Sequence, residues 1–259
     1  MAEYKKLENQ PLKFVLVEFR FSPVMQIAEY IPKIQEALRR QYPISEKRSG
    51  QAVQVRPGGI AVSAIDRWAF ISANKKSAID INQERLVYIT AEYPRFAGFS
   101  DTCKQAIETL VNIVEPGLIL RIGLRYSDLV IVDDGEVITS LVNEHFGFPN
   151  GIETLGKTRQ HSTDTFLRTD MGGLAIRTLY GKHNLTCLPD VQSLPISITA
   201  DATSSERIIL DFDHYWEAKD EPVSFETNNV LEKLSALHKT SREAFWKVTT
   251  DYARNEKWA

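Results

Sequence analysis

Apolar residues recur along this chain with two periods, and the alternation between them predicts its elements. Residues 12–21 (LKFVLVEFRF) are rich in β-branched and aromatic side chains and predict a strand. Ile31, Ile34, Leu38 and Tyr42, three and four apart, predict a helix over about 29–42 with Pro32 in its first turn. Tyr42-Pro43 ends it, because a residue before proline is pushed out of helical angles. Strand-like runs follow at 52–56, 67–73, 77–82 and 85–93, separated by the turn-like Pro57-Gly58-Gly59, Asn74-Lys75-Lys76 and Gln83-Glu84. A second helix is expected from near Ser100, burying Cys103, Ala106, Ile107, Leu110, Val111 and Val114, until Pro116-Gly117 stops it. The order then restarts. A long strand is expected at 118–132, a helix at about 136–146, strands at 164–169, 174–180, 196–200 and 207–216, and a long helix over about 226–252.

The chain thus reads strand, helix, four strands, helix, twice over, and the residues carry a weak internal repeat. Phe19-Arg20-Phe21-Ser22 matches Leu124-Arg125-Tyr126-Ser127, and Arg85-Leu86-Val87-Tyr88 matches Arg207-Ile208-Ile209-Leu210. The fold class expected is α+β: two tandem β-α-β4-α halves, residues 1–116 and 117–259, fused as one unit. They would share one curved antiparallel sheet with the helices on one face. In element order each half resembles the unit of the TATA-box-binding protein fold, whose second sheet face stays open.

A closer resemblance rests on specific blocks. Pro11-Leu12, Val15 and Glu18-Phe19-Arg20-Phe21 resemble the opening of a sparsely distributed family of uncharacterised bacterial and archaeal proteins with a P-L-x-x-V-x-x-E-x-R-F start. Ile31-Pro32-x-Ile34-Gln35-Glu36, Trp68-x-Phe70, Tyr93-x-x-Phe96-x-x-Phe99, Arg121-Ile122-Gly123-Leu124-Arg125-Tyr126 and Leu210-Asp211-x-Asp213 extend the likeness over most of the chain. The family's usual asparagine after Arg-Tyr is Ser127 here. The resemblance implies no activity; the family's patchy distribution implies a defence or toxin–antitoxin type locus.

Composition narrows the function classes. The 259 residues are 43% hydrophobic and 25% charged, globular averages that leave room for a large core. No run of eighteen apolar residues predicts a membrane span, and MAEYKKLENQ lacks an apolar signal core, so a cytoplasmic protein is expected. Cys103 and Cys187 make neither a disulfide framework nor a metal spacing, and no cofactor or metal is expected. The net charge of −3 argues against wholesale nucleic-acid wrapping.

Three constellations carry candidate chemistry. Gly151-Ile-Glu-Thr-Leu-Gly156-Lys157-Thr158 matches the phosphate-cradling G-x-x-x-x-G-K-[ST] pattern, but a working loop joins a strand to a helix N-terminus, and these flanks predict a polar connector without ATP affinity. Asp211 and Asp213, two apart on a strand, share a face; they are either a cation or acid–base pair or a solvated acidic face. Glu18 and Arg20 on the first strand, and Arg121 and Arg125 on its counterpart, are expected on the same open face, with Val15, Val17, Phe19, Phe21, Leu120, Ile122, Leu124 and Tyr126 inward. Gly123 leaves room between the arginines. The arginines either clamp an anion or form a structural network with Glu18. His238 sits on a helix stripe and reads as packed or capped. The function expected is non-catalytic binding of a protein partner or small anionic ligand on the open face, with a homo-oligomer compatible with it. The alternatives are a nucleotide- or metal-dependent enzyme and a nucleic-acid binder.

Overall fold

The structure, a computed structural model, describes residues 4–56, 59–147, 151–191, 193–199, 203–219 and 221–259, with backbone alone for 50–56, 59–64 and 153. The fold is α+β, with one sheet of nine strands, every neighbouring pair antiparallel. In chain order the strands are β1 (Leu12–Phe21), β2 (Ile44–Arg56), β3 (Gly59–Ile71), β4 (Ser77–Ile81), β5 (Arg85–Thr90), β6 (Ile119–Ile131), β7 (Gln160–Arg168), β8 (Gly173–His183) and β9 (Ser205–Glu217). The helices are α1 (Ile27–Leu38), α2 (Arg95–Val114), the short α3 (Ile138–Leu141) and α4 (Glu144–Gly147), and α5 (Thr227–Val248).

Reading outwards from the central β1–β6 pair, one flank runs β5, β4, β3, β2 and the other β9, β8, β7. In that central pair Glu18 lies opposite Gly123, Arg20 opposite Arg121 and Leu16 opposite Arg125. The inward set is as alternation predicts: Val15, Val17, Phe19 and Phe21 with Ile122 and Leu124 pack under α1, α2 and α5, together with Cys103, Ile107, Leu110, Leu234 and Leu237. Leu120 departs from it and is exposed. A bulge between Arg20 and Phe21 puts Ile119, fully buried, opposite Phe21, and Leu120 becomes the extra residue turned out.

Three expectations fail for local reasons. The helix expected at 136–146 is two short helices, because Val142 takes an extended conformation and bridges to Thr249 just past α5. The second long helix starts at Arg95, directly after Pro94, rather than near Ser100. Among the described residues, 193–199 form no strand. The last case matters most. Residues 184–191 and 193–199 cross the second face of the sheet as a strap, with Cys187 and Val191 buried against Phe14, Ala69, Ile71, Ala78 and Ile89, and Leu194, Ile196 and Ile198 packed beside them. Its backbone is tied down where Ser197 N donates to Lys75 O at 2.7 Å. Part of the turn expected at 57–59 lies outside the described residues.

The β7–β8 hairpin depends on one glycine. Gly172 has φ +154°, and a Cβ there would lie 2.0 Å from the backbone oxygen of Tyr215 on the neighbouring strand. Only a residue without a side chain lets the turn close against β9.

Candidate functional site

The residues expected on an open sheet face do share one face, but their charges are occupied by one another. Glu18 accepts from Arg121 at 2.9 Å and Arg85 at 3.0 Å, with Arg20 at 3.5 Å. The room left by Gly123 is filled by Arg121 itself, whose Nη1 would lie 2.8 Å from an added Cβ. Arg121 also reaches Glu217 at 3.4 Å and stacks over Tyr215 at 4.6 Å. Arg20 remains the exposed member of this set, with about half its side chain in solvent.

Four residues further along β6 the face is closed. Arg125 is 7% exposed and Asp211 is 0% exposed, so the expectation of an uncovered face fails here. The cover is the 3-10 turn Pro189–Val191 of the strap. Arg125 Nε donates to Asp211 at 2.8 Å, and its Nη1 and Nη2 reach the two Asp190 oxygens at 2.8 and 3.0 Å. Arg177 reaches Asp211 at 2.9 Å and lies 3.6 Å from Asp213. Burial alone would lower the Arg125 pKa, but hydrogen bonds and charge from Asp190 and Asp211 hold it above the ordinary value. Burial pushes the Asp211 carboxyl up, and the two arginines oppose it. Asp211 and Asp213 therefore present guanidinium-bound carboxylates, and among the described residues no group of three or more His, Cys, Asp or Glu is placed to hold a metal. The geometry is that of a clamp fastening the strap to the sheet.

Gly156, Lys157 and Thr158 lie in a surface connector. A 3-10 turn, Glu153–Leu155, precedes them and edge strand β7 follows, so no helix N-terminus points at the loop. Lys157 is exposed.

A cavity that the sequence motifs did not indicate opens on the helix side, with a volume of about 370 Å³. That is within the roughly 300–1,000 Å³ of small-molecule sites. Leu12, Tyr126, Asp128 and Phe212 form its floor on three adjacent strands. Tyr93 comes from just before α2 and Phe96 from its first turn, and His238, Ser241, Arg242, Phe245 and Trp246 from α5. The N-terminal segment with Tyr4, Lys5 and Leu7 lies across the mouth. Arg95, beside that mouth, has φ 68°, the left-handed region uncommon for a residue with a side chain.

The walls are ordered by a hydrogen-bonded chain. Tyr126 Oη and His238 Nδ1 are 2.8 Å apart, and Tyr93 Oη is 3.4 Å from Tyr126 Oη. Burial, with help from Arg242, lowers the His238 pKa to about 4, so the ring is neutral at pH 7. Burial raises both tyrosines, Tyr93 to about 12. One proton pattern satisfies all three: Tyr93 donates to Tyr126, which donates to His238 Nδ1. Phe96 stacks on the His238 ring at 3.9 Å with 3° between planes.

Asp128 is the anomaly. Alternation along β6 sends Leu124, Tyr126, Asp128 and Val130 to the helix side, an acid in an apolar series. It is 4% exposed, lines the cavity, and has no hydrogen-bond or ion-pair partner among the described residues. Burial pushes its carboxyl up to about 8, and the Asp211 charge on the other side of the sheet adds to the rise. Arg242 is its counterpart. It makes no ion pair among the described residues, its Nε is buried without an acceptor, and its guanidinium lies 4.2 Å over the Tyr4 ring. The signal for Asp128 was legible in the alternation; the arginines of α2 and α5 carried none, because helix-surface arginines are ordinary.

Neither a protein-family model nor a curated protein matches the chain.

Proposed function

We propose that this is a non-catalytic binding protein whose recognition site is the helix-side cavity rather than the outer sheet face. The observation that carries the reading is Asp128. A buried carboxyl without a partner costs about 1–3 kcal/mol or more and is retained where a ligand completes it. On the outer face each enclosed carboxyl already has a guanidinium: Glu18 meets Arg121, Asp80 meets Arg67, and Asp211 meets Arg125 and Arg177. The Tyr93–Tyr126–His238 chain supports binding over acid–base work: at pH 7 the histidine is neutral and the tyrosines are protonated, so the chain sets wall geometry and holds no labile charge. The readout is thermal stabilisation by co-purified small molecules. Protein purified gently should release a bound compound on denaturation, and Asp128→Ala should lose it while Arg125→Ala, if folded, keeps it. Retention of the compound by Asp128→Ala would overturn the reading.

We further read the two halves as tandem copies related by a pseudo-twofold axis at the β1–β6 seam, the arrangement of the TATA-box-binding protein fold with one strand fewer in the second copy. The register supports this. If Arg20 corresponds to Arg125, then Glu18 corresponds to Gly123, and these two lie opposite each other, as an axis through that pair requires.

A further inference from the structure

A buried carboxyl that keeps its proton at neutral pH and a guanidinium line one cavity, and neither has an ion-pair partner among the described residues. Asp128 and Arg242 form no ion pair with each other, and the charge that acts on Asp128 is that of Asp211, of its own sign. The arginine therefore stands apart from the acid. A compact zwitterion, whose ammonium and carboxylate sit side by side, does not bridge such poles; a longer ligand with a donor edge at one end and an anion at the other does. The rest of the lining is largely aromatic, with Phe96 stacked on the neutral His238 ring. Flat heterocycles stack on such faces whatever their edge pattern. A carboxyl on the cavity floor, with one oxygen donating and the other accepting, can meet two adjacent edge positions of a nucleobase. The guanidinium of Arg242, pre-oriented on Tyr4, matches a phosphate in two-point geometry, and exposed Arg95 lines the same cavity.

We propose that the cavity takes a nucleoside monophosphate, with the base in the aromatic slot against Asp128 and the phosphate on Arg242 and Arg95. This rests on the binding reading of the same cavity. It is a different place from the Gly156–Lys157–Thr158 loop, which is on the surface connector before β7.

The test is calorimetry of the full chain with the 5′-monophosphates of adenosine, guanosine, cytidine and uridine and with the four nucleosides. At least one nucleotide should bind tenfold or more tightly than its nucleoside. Asp128→Ala should weaken that nucleotide at least tenfold, and Arg242→Gln should abolish its advantage over the nucleoside while leaving nucleoside affinity within about threefold. Arg242→Gln alters a partly exposed helix residue and carries the test if Asp128→Ala does not fold. Nucleotide binding indifferent to both variants, or lost only in Lys157→Ala, overturns the proposal. If no nucleotide binds while the protein releases a co-purified compound of other chemistry, in a manner dependent on Asp128, the nucleotide class is wrong and the cavity reading stands. If no nucleotide binds and Asp128→Ala retains whatever compound is released, both are wrong.

Discussion

The two faces of this sheet hold ionisable groups in opposite ways. On the outer face buried Arg125 and Asp211 are joined by half-exposed Asp190 and by Arg177 into one cluster, with every carboxylate contacted by a guanidinium. On the helix face Asp128 is almost as enclosed and has no hydrogen-bond or ion-pair partner among the described residues. Both arrangements centre on a buried acid, so burial alone does not distinguish them; the presence of a partner does. A closed network gives up its capacity to bind and in return fixes the strap, whereas an open one leaves a group whose partner must come from outside. Arginine and aspartate on a common strand face are therefore a poor guide to a site until their neighbours are known.

The largest effect should come from breaking the closed network. Arg125→Ala leaves Asp211 buried with Arg177 alone, and should cost about 3–5 kcal/mol. For a chain of this size that is roughly 10 °C in Tm, read by a thermal melt. A drop of less than about 2 °C would show that the outer face behaves as solvent-exposed surface and would erase the contrast.

The open site should give a change of the opposite sign. The folded Asp128 carboxyl keeps its proton up to about 8, whereas its ordinary value is 3.8. The folded state thus binds more protons across that window, and stability falls as pH rises through it, by about 1.4 kcal/mol per unit at most. Asp128→Asn cannot ionise, so it should be more stable than the natural chain by about 2–4 kcal/mol at pH 8.5, measured by denaturant unfolding. Equal stability at that pH would mean Asp128 is partnered after all.

His238 sharpens the same experiment. Its pKa falls from 6.5 to about 4, so the unfolded state binds the extra proton and stability rises with pH across that interval. Between pH 4 and 6.5 the two slopes oppose, and the natural chain should be nearly flat there before declining above pH 6.5. Asp128→Asn should uncover the rising acid limb, of roughly 1–3 kcal/mol, and adding His238→Gln, which keeps an acceptor for Tyr126, should flatten it again. An acid limb that survives in the double variant would assign it to other groups. The smallest effect belongs to Lys157→Ala on its exposed connector, within about 0.5 kcal/mol and without change in ligand binding.

Much of the architecture was legible in the residues alone, because period and burial are local. The alternation in β1 and β6 placed their core sides correctly apart from Leu120, and the stripes of α2 and α5 located the helices that cover them. The same logic held an unread signal. Phe14 and Leu16 on the face of Glu18 and Arg20, with Ile89 on β5, are apolar where a solvated face should be polar, which announces cover on both sides. What supplies that cover is a matter of long-range packing: the run at 196–200 reads as a strand by composition, but its described residues lie in a strap over the face, because β8 is already paired with β7 and β9. The site divided along the same line. That Asp128 faces inward follows from counting by twos along β6. That nothing meets it there, while Asp211 meets two arginines, depends on where α5, the N-terminal segment and the strap come to rest. Periodicity specifies which way a side chain points, and only the packed chain decides whether a partner is waiting.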